Sequence, residues 1–303
     1  MTSSPSPEIS ATRGQGSLAG ALLRCVRPKQ WTKNALLFSG IFLNARFDDP
    51  DLWLAAFSGF AIFCMLSGSV YIINDLQDVE GDRLHPKKRL RPIAAREVTP
   101  RQAGIFCGIL MVLAMAWAMT FGWAFAACAG LYWLLVLSYS LGLKHIVIVD
   151  VMSLAAGFVL RALAGIYVLQ TVWSDIPITE WFLTCTMFLA LFIALCKRRA
   201  EMVGMEQAAE MRRVLSDYTV PLLDQLIAMA STLTIMSYAL YCMQKNPQLL
   251  VTLPFVMFGV MRFLWHVYRN DEGGAPEVLL YKDPAMLICV SVWAGLVATV
   301  MVH

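Results

Sequence analysis

The sequence is poor in charge. Lysine, arginine, aspartate and glutamate make up only 15% of its 303 residues, while hydrophobic residues make up 58%. A soluble domain carries about 25% charged residues and no repeated long apolar runs. The composition therefore excludes a soluble globular protein, and the net charge of +3 is too small to indicate a nucleic-acid partner. We expect a polytopic helical membrane protein, with the lipid bilayer as its surroundings.

Cysteine pairing motifs are also lacking. The eight cysteines form no CxxC pair, lie mostly within apolar runs and stand at no metal-ligand spacing from a histidine. This pattern is typical of small packing residues and implies neither a disulfide framework nor a zinc site.

Apolar runs of membrane-spanning length follow one another along most of the chain. Residues 1–20 are rich in Ser, Pro, Gly and Thr and lack the apolar core of a signal peptide, so they are expected to form a disordered tail. Residues 21–303 are expected to form a single all-α membrane domain. Nine helices are predicted near 32–47, 52–74, 102–121, 123–143, 147–170, 180–197, 222–243, 247–268 and 284–302.

Basic residues crowd one set of connections. The segment before the first run and every even-to-odd connection carry Lys or Arg, whereas the opposite loops carry almost none. The positive-inside rule then predicts a multi-pass protein of the inner (plasma) membrane with a cytoplasmic N-terminus and an outward C-terminus. All candidate polar chemistry lies on the cytoplasmic side.

An acidic motif closes the second apolar run. Asp75, Asp78 and Asp82 fall within roughly 60° of one another on a helix, and Asn74 precedes them. Clustered carboxylates repel one another unless a cation sits among them, and hard oxygen ligands suit Mg²⁺ together with a substrate's phosphates. The motif indicates a diphosphate held through Mg²⁺ at the membrane surface; a solvated acidic loop is the alternative.

Several cations could meet the phosphates of such a substrate. Lys29 and Lys33 are four residues apart and can share a helix face, although a topology signal explains them equally well. Arg161 lies deep in the fifth run on the same stripe as Asp150, so it should point inward to a carboxylate, a phosphate or a polar cavity; a purely structural ion pair is the alternative to substrate binding. The sixth run ends in Lys197-Arg198-Arg199-Ala200-Glu201, followed by a predicted amphipathic cap helix.

The acidic motif Asn74-Asp75-x-x-Asp78-x-x-x-Asp82 follows the second of nine predicted helices, and this pattern resembles the UbiA-type membrane prenyltransferase superfamily. Further motifs run from about Arg24 to the last helix. They are Arg27-Pro28-x-Gln30-Trp31-x-Lys33-Asn34, His85-Pro86-x-Lys88-Arg89-x-Arg91-Pro92-Ile93-Ala94, Tyr139-Ser140-Leu141-Gly142-Leu143-Lys144-His145, Gly157-Phe158-x-x-Arg161-Ala162-x-Ala164-Gly165, Lys197-Arg198-x-Ala200-Glu201 and Ala275-Pro276-Glu277. Together these motifs resemble the decaprenyl-phosphate phosphoribosyltransferases within that superfamily.

The resemblance implies a UbiA-type bundle of about nine transmembrane helices with a cytoplasmic cap. It implies transfer of 5-phosphoribose from phosphoribosyl diphosphate (PRPP) to polyprenyl (decaprenyl) phosphate, with release of diphosphate, for a cell-wall arabinan precursor. Asp75, Asp78 and Asp82 would be catalytic and, with Asn74, would bind Mg²⁺. The substrates would be bound by Lys29, Lys33, Asn74, Lys88, Arg89, Arg91, Tyr139, Lys144, Arg161, Lys197, Arg198 and Glu201.

One departure from the superfamily pattern bears on the substrate. Members that use prenyl diphosphates typically carry a second DxxxD motif in the 6–7 connection, where this chain has Lys197-Arg198-Arg199 and, as the nearest imitation, Glu206 and Glu210. Cations there favour PRPP, which carries an additional 5-phosphate. The alternatives are a prenyltransferase acting on an aromatic or tetrapyrrole acceptor, and a transporter, whose inverted repeats or interrupted helices are not evident. Homo-oligomerisation is compatible with the sequence.

Overall fold

The computed structural model describes residues 17–44, 46–86, 88–203, 217–269 and 282–302, and within these ranges the regular structure is entirely helical. Eight helices are long and apolar enough to cross a membrane, so the expected all-α multi-pass fold is confirmed. The α-helices are α1 (Leu18–Cys25), α2 (Ser39–Leu43), α3 (Pro50–Gln77), α4 (Val79–Leu84), α5 (Pro100–Met119), α6 (Trp123–Leu141), α7 (Val149–Gln170), α8 (Glu180–Val203), α9 (Val220–Lys245), α10 (Leu253–Arg269) and α11 (Pro284–Val302). The 3-10 helices are Pro28–Phe38, Lys88–Leu90, Leu143–His145 and Pro247–Thr252.

The first expected span, 32–47, differs from a long α-helix. Its residues form the 3-10 helix Pro28–Phe38, which continues directly into the five-residue α2. A 3-10 helix rises about 2.0 Å per residue and an α-helix about 1.5 Å, so the two together extend about 30 Å, the thickness of the hydrocarbon core. The tighter winding lets sixteen residues reach as far as a span of about 20.

Glycines bring this first segment into backbone contact with α7. A Cβ atom on Gly165 would lie 2.5 Å from the carbonyl oxygen of Leu37, and one on Gly40 would lie 2.6 Å from Leu169 Cδ1. Leu37 and Ile41 are fully buried in the core that α2, α3, α6 and α7 enclose. The first segment therefore lies inside the bundle.

The end of α3 places the acidic motif at one mouth of the bundle. The helix begins at Pro50 with Asp49 as N-cap and runs for 28 residues, which carries Asn74 and Asp75 into its last turn. Asp78 is the residue between α3 and α4, and Asp82 lies within α4. The motif thus spans a helix junction.

Asp283 joins the last two helices. Its Oδ2 accepts a hydrogen bond from Arg262 Nε at 2.6 Å and lies 2.7 Å from His266 Nε2, while its Oδ1 caps α11 by accepting from the Ala285 amide. Hydrogen bonds from Arg262 and His266 hold the pKa of the Asp283 carboxyl well below its ordinary value. This three-residue contact connects α10 to α11, which is otherwise little buried.

Candidate functional site

Arginines neutralise two of the three motif aspartates. Asp75 and Asp82 are each 2% exposed. Arg91 Nη1 donates to Asp75 Oδ1 at 3.0 Å and to Asp82 Oδ2 at 2.6 Å, and Arg27 also contacts Asp75 Oδ1. A single guanidinium nitrogen therefore joins the two carboxylates, and we call these four residues the acidic-motif cluster.

The other two motif residues keep unused oxygen atoms. Asp78 is exposed and its side chain makes no hydrogen bond or ion pair with the described residues. The Oδ1 atom of Asn74 is buried and has no hydrogen-bond partner in the described structure. Asn74 therefore has a buried amide oxygen without a partner and Asp78, four positions later, an exposed carboxylate; both are oxygen ligands of the kind that a hard cation binds.

The residues fit Mg²⁺ in their chemistry. Within the described ranges no three His, Cys, Asp or Glu side chains converge as a metal-binding group, and the charge between Asp75 and Asp82 is carried by Arg91 at hydrogen-bond distances. Mg²⁺ binds oxygen at about 2.0–2.1 Å, so Arg91 would have to leave this position for both carboxylates to reach an ion. Metal binding by Asn74, Asp75, Asp78 and Asp82 stays a prediction.

A second ionic cluster holds α7 and α8 together. Arg198 Nε donates to Asp150 Oδ2 at 2.7 Å, its Nη1 to Glu201 Oε2 at 2.7 Å and its Nη2 to Tyr139 OH at 3.2 Å. Tyr218 OH donates to Asp150 Oδ1 at 2.7 Å. We call these five residues the α7–α8 cluster. Arg198 is 2% exposed and Asp150 is fully buried, so Arg198 already has the anionic partners that a substrate phosphate would replace.

Tyr218 is fixed as the neutral phenol in this cluster. Its burial, together with its hydrogen bond to Asp150, raises the pKa of the phenol. The hydroxyl therefore keeps its proton for Asp150, and its lone pair accepts the amide of Ile148 at 2.7 Å.

Arg161 lies in a third polar cluster, deep in the bundle. It is twelve residues into α7, or about 18 Å from the start of that helix. Its Nε donates to Asn34 Oδ1 at 2.9 Å and its Nη2 to Tyr132 OH at 2.7 Å, and the guanidinium stacks 4.7 Å from the Tyr132 ring centre. Asp150 and Arg161 lie on the same stripe of α7, but Asp150 pairs with Arg198 of α8 and not with Arg161. In the described part of the chain Arg161 has no carboxylate partner.

The remaining predicted cations are at the surface. Lys29, Arg89 and Lys197 are exposed, and Lys88 and Lys144 are partly exposed. None of these five side chains forms a hydrogen bond or ion pair within the described ranges. Lys33 is also exposed but has a partner. The predicted phosphate ligands thus separate into free surface cations and internally paired arginines.

Two partners in these clusters are not identified by sequence reasoning. Arg27 belongs to the basic segment before the first span, where a cation is explained by membrane topology alone. The Arg27-Pro28 motif could have singled it out. Tyr218 follows the sixth span without a periodic pattern, and no motif marks it. The expected cap helix, with Glu206 and Glu210, and the Ala275-Pro276-Glu277 segment lie outside the described residues.

Known proteins are similar to this chain in sequence, and solved structures are similar to it in fold. The family model of the UbiA prenyltransferase family matches residues 35–282. Decaprenyl-phosphate phosphoribosyltransferase from Mycolicibacterium smegmatis is 32% identical over 300 residues, covering 92% of this chain and 92% of the relative. The protein of the same name from Corynebacterium glutamicum is 32% identical, covering 91% of this chain and 85% of the relative.

A solved structure, that of a UbiA homolog from Archaeoglobus fulgidus bound to GPP and Mg²⁺, matches with a TM-score of 0.69 and covers 93% of this chain and 100% of that chain. At 18% identity it shows the shared fold alone. The family match and the two relatives cover most of the chain and agree with the motifs. The chain belongs to the UbiA prenyltransferase family.

Proposed function

We propose that this protein transfers 5-phosphoribose from PRPP to polyprenyl phosphate, with Mg²⁺ as cofactor and at the cytoplasmic face of the plasma membrane. The observation that carries the proposal is the similarity, over 92% of the chain, to a protein named decaprenyl-phosphate phosphoribosyltransferase. Membership in a family of transferases argues against the transporter alternative.

The free surface cations support an anionic pair of substrates. PRPP and a lipid phosphate repel each other, so the protein must neutralise both to bring them together. Lys29, Lys88, Arg89, Lys144 and Lys197 have no partner among the described residues that would be lost on binding a phosphate. Lys197 lies in the last two turns of α8, which ends at Val203, and so precedes the connection in which relatives that use prenyl diphosphates carry a second acidic motif.

The reaction needs orientation more than proton transfer. An oxygen of the lipid phosphate forms a bond to C1 of the ribose, the bond from C1 to the diphosphate oxygen breaks, and its electron pair leaves with the diphosphate. The nucleophile is already an anion, so no side chain has to remove a proton, and displacement inverts C1. Asn74, Asp75, Asp78 and Asp82 would hold Mg²⁺, which supplies charge neutralisation at the leaving group.

Labelled PRPP and polyprenyl phosphate, incubated with the purified protein, test the proposal. We expect a labelled phosphoribosyl lipid in the presence of Mg²⁺ and none after chelation. Asp78→Asn should lower turnover by orders of magnitude, whereas Asp51→Asn, an exposed aspartate at the opposite end of α3, should retain it. Consumption of a prenyl diphosphate with an aromatic acceptor, and no reaction of PRPP, would contradict the proposed donor.

A further inference from the structure

The turn between α6 and α7 contains a strained residue. Ile148 has φ 67° and ψ −44°, and the Val149 amide donates to the Val147 carbonyl at 2.8 Å. These values describe a γ-turn of the rare positive-φ kind. A β-branched residue in this region is a genuine outlier, and such strain persists only where the surroundings hold it.

Tyr218 and Asp150 supply that hold. Tyr218 OH accepts from the Ile148 amide and donates to Asp150 Oδ1, both at 2.7 Å. The Asp150 amide donates to the Ile146 carbonyl at 3.0 Å, and Arg198 holds the other carboxylate oxygen. Tyr218, from the segment before α9, is 2% exposed, so water does not compete for its hydroxyl. The strained residue is thereby tied to α8 and to the start of α9.

The same turn carries a free cation. The 3-10 helix Leu143–His145 ends three residues before Ile148 and contains Lys144, whose side chain has no hydrogen-bond or ion-pair partner in the part of the chain that the structure describes. A 3-10 helix of only three residues has few hydrogen bonds of its own to fix the backbone of this lysine. Its direction depends on how the rest of the turn is held.

We infer that Tyr218 and Asp150 are positioning residues that orient Lys144 toward an anionic substrate by keeping the Ile148 turn in its strained form. The inference rests on the proposed function, in which Lys144 meets a phosphate of PRPP. Neither Tyr218 nor Asp150 touches substrate, because each is buried and bonded within the α7–α8 cluster. Loss of the Tyr218 hydroxyl releases the turn and moves Lys144.

Tyr218→Phe tests the hold while keeping the aromatic ring. We expect kcat/KM for PRPP to fall about tenfold, mainly through KM, and amide hydrogen exchange across 143–149 to accelerate. Glycine adopts positive φ without strain, so adding Ile148→Gly to Tyr218→Phe should restore both slow exchange and activity. Ile146→Gly in the same background is the matched control, because Ile146 has φ −106° and relieves no strain; it should restore neither.

If Tyr218 only stabilised the fold in general, Ile148→Gly would not restore exchange and activity to Tyr218→Phe while Ile146→Gly fails to do so. Unchanged exchange and activity in Tyr218→Phe, or no rescue by Ile148→Gly, would overturn the inference, as would rescue of exchange without rescue of KM. If the wild-type protein does not react with PRPP, the proposed function is wrong. Amide hydrogen exchange across 143–149 would then still show whether Tyr218 holds the turn. If Tyr218→Phe does not fold, Ile148→Gly alone must retain the wild-type KM for PRPP. Glycine at position 148 has no backbone strain, so the turn no longer depends on the Tyr218 hydrogen bond to keep its form.

Discussion

Consecutive residues on an α-helix point about 100° apart, and this separates the two cations at the end of α8. Arg198 turns into the bundle and contacts Asp150 and Glu201, whereas Lys197 is exposed and pairs with none of the described residues. Both carry one positive charge. Their different surroundings give Arg198 internal carboxylate partners, whereas substrate contact by Lys197 is a prediction that follows from the proposed function.

Alanine substitutions should separate these two roles. Lys197→Ala removes a charge-assisted phosphate contact, so we expect kcat/KM with PRPP as the varied substrate to fall about tenfold at unchanged Tm. Arg198→Ala leaves Asp150 buried without its cation, which costs about 3–5 kcal/mol of stability. Its Tm should fall clearly. Equal Tm values for the two variants would contradict the assignment.

Arg91 should compete with a divalent cation. In Arg91→Ala, Asp75 and Asp82 lose the guanidinium that they share, so we expect a lower Tm than wild type without metal and a larger rise in Tm on adding Mg²⁺. Arg83→Ala is the matched control, because it removes one charge next to Asp82 in the sequence from an exposed side chain that forms no hydrogen bond or ion pair with the described residues. Identical Mg²⁺-induced shifts in the two variants would exclude competition.

At the scale of whole elements, the first segment depends on how closely it can approach α7. Leu37 and Gly165 are in backbone contact, so the space at position 165 is smaller than a methyl group. The contact keeps Asn34 within reach of Arg161 at 2.9 Å. A glycine thus supports the deepest polar cluster.

A pair of glycine substitutions tests this packing. Gly165→Ala places a Cβ atom 2.5 Å from the Leu37 carbonyl oxygen, and because both groups are held by backbone, we expect a large loss of Tm and of folded yield. Gly259→Ala, in α10, meets nothing within 4 Å. It should be neutral or slightly stabilising, since alanine favours helix by about 0.5–1 kcal/mol. Comparable losses in both variants would disprove a specific contact at Gly165.

The contact between α10 and α11 should weaken in acid. The pKa of Asp283 is lower in the folded protein than its unfolded value of about 4, so its contribution is present above that value and is lost as pH falls through the folded pKa. We expect the Tm difference between wild type and Asp283→Asn to be greatest near neutral pH and to shrink below about pH 4. Asp51→Asn, on the opposite side of the bundle, controls for general acid effects.

The structural elements that depend on neighbouring residues in the chain could be predicted from the sequence. Apolar runs and loop charges predict the long helices, and the spacing of Asn74 to Asp82 predicts a polar group at one mouth. Winding and pairing depend on contacts distant in sequence, such as Leu37 with Gly165 and Asp150 with Tyr218. For that reason the 3-10 helix, and the engagement of Arg91 and Arg198 within the protein, could not be read from spacing alone.

At the scale of the molecule, the distribution of Lys and Arg predicts its orientation. With the first segment counted as a span, the eight long helices of the described residues would make nine crossings, and the two termini would then lie on opposite sides. Reporter fusions near Arg91 and at His303 should therefore give cytoplasmic and external signals respectively. A cytoplasmic His303 would show that one crossing is miscounted.

The 3-10 winding of the first segment sets the distance between the two points at which this segment is attached to the rest of the protein. Wound as an α-helix, the eleven residues Pro28–Phe38 would be about 5–6 Å shorter. The segment is fastened at both ends, by Arg27 to Asp75 and by Asn44 to Lys245. If hydrophobic mismatch in a thinner membrane shortened the segment, Arg27 would be drawn away from Asp75. Lipid chain length would then alter the neutralisation of the acidic motif.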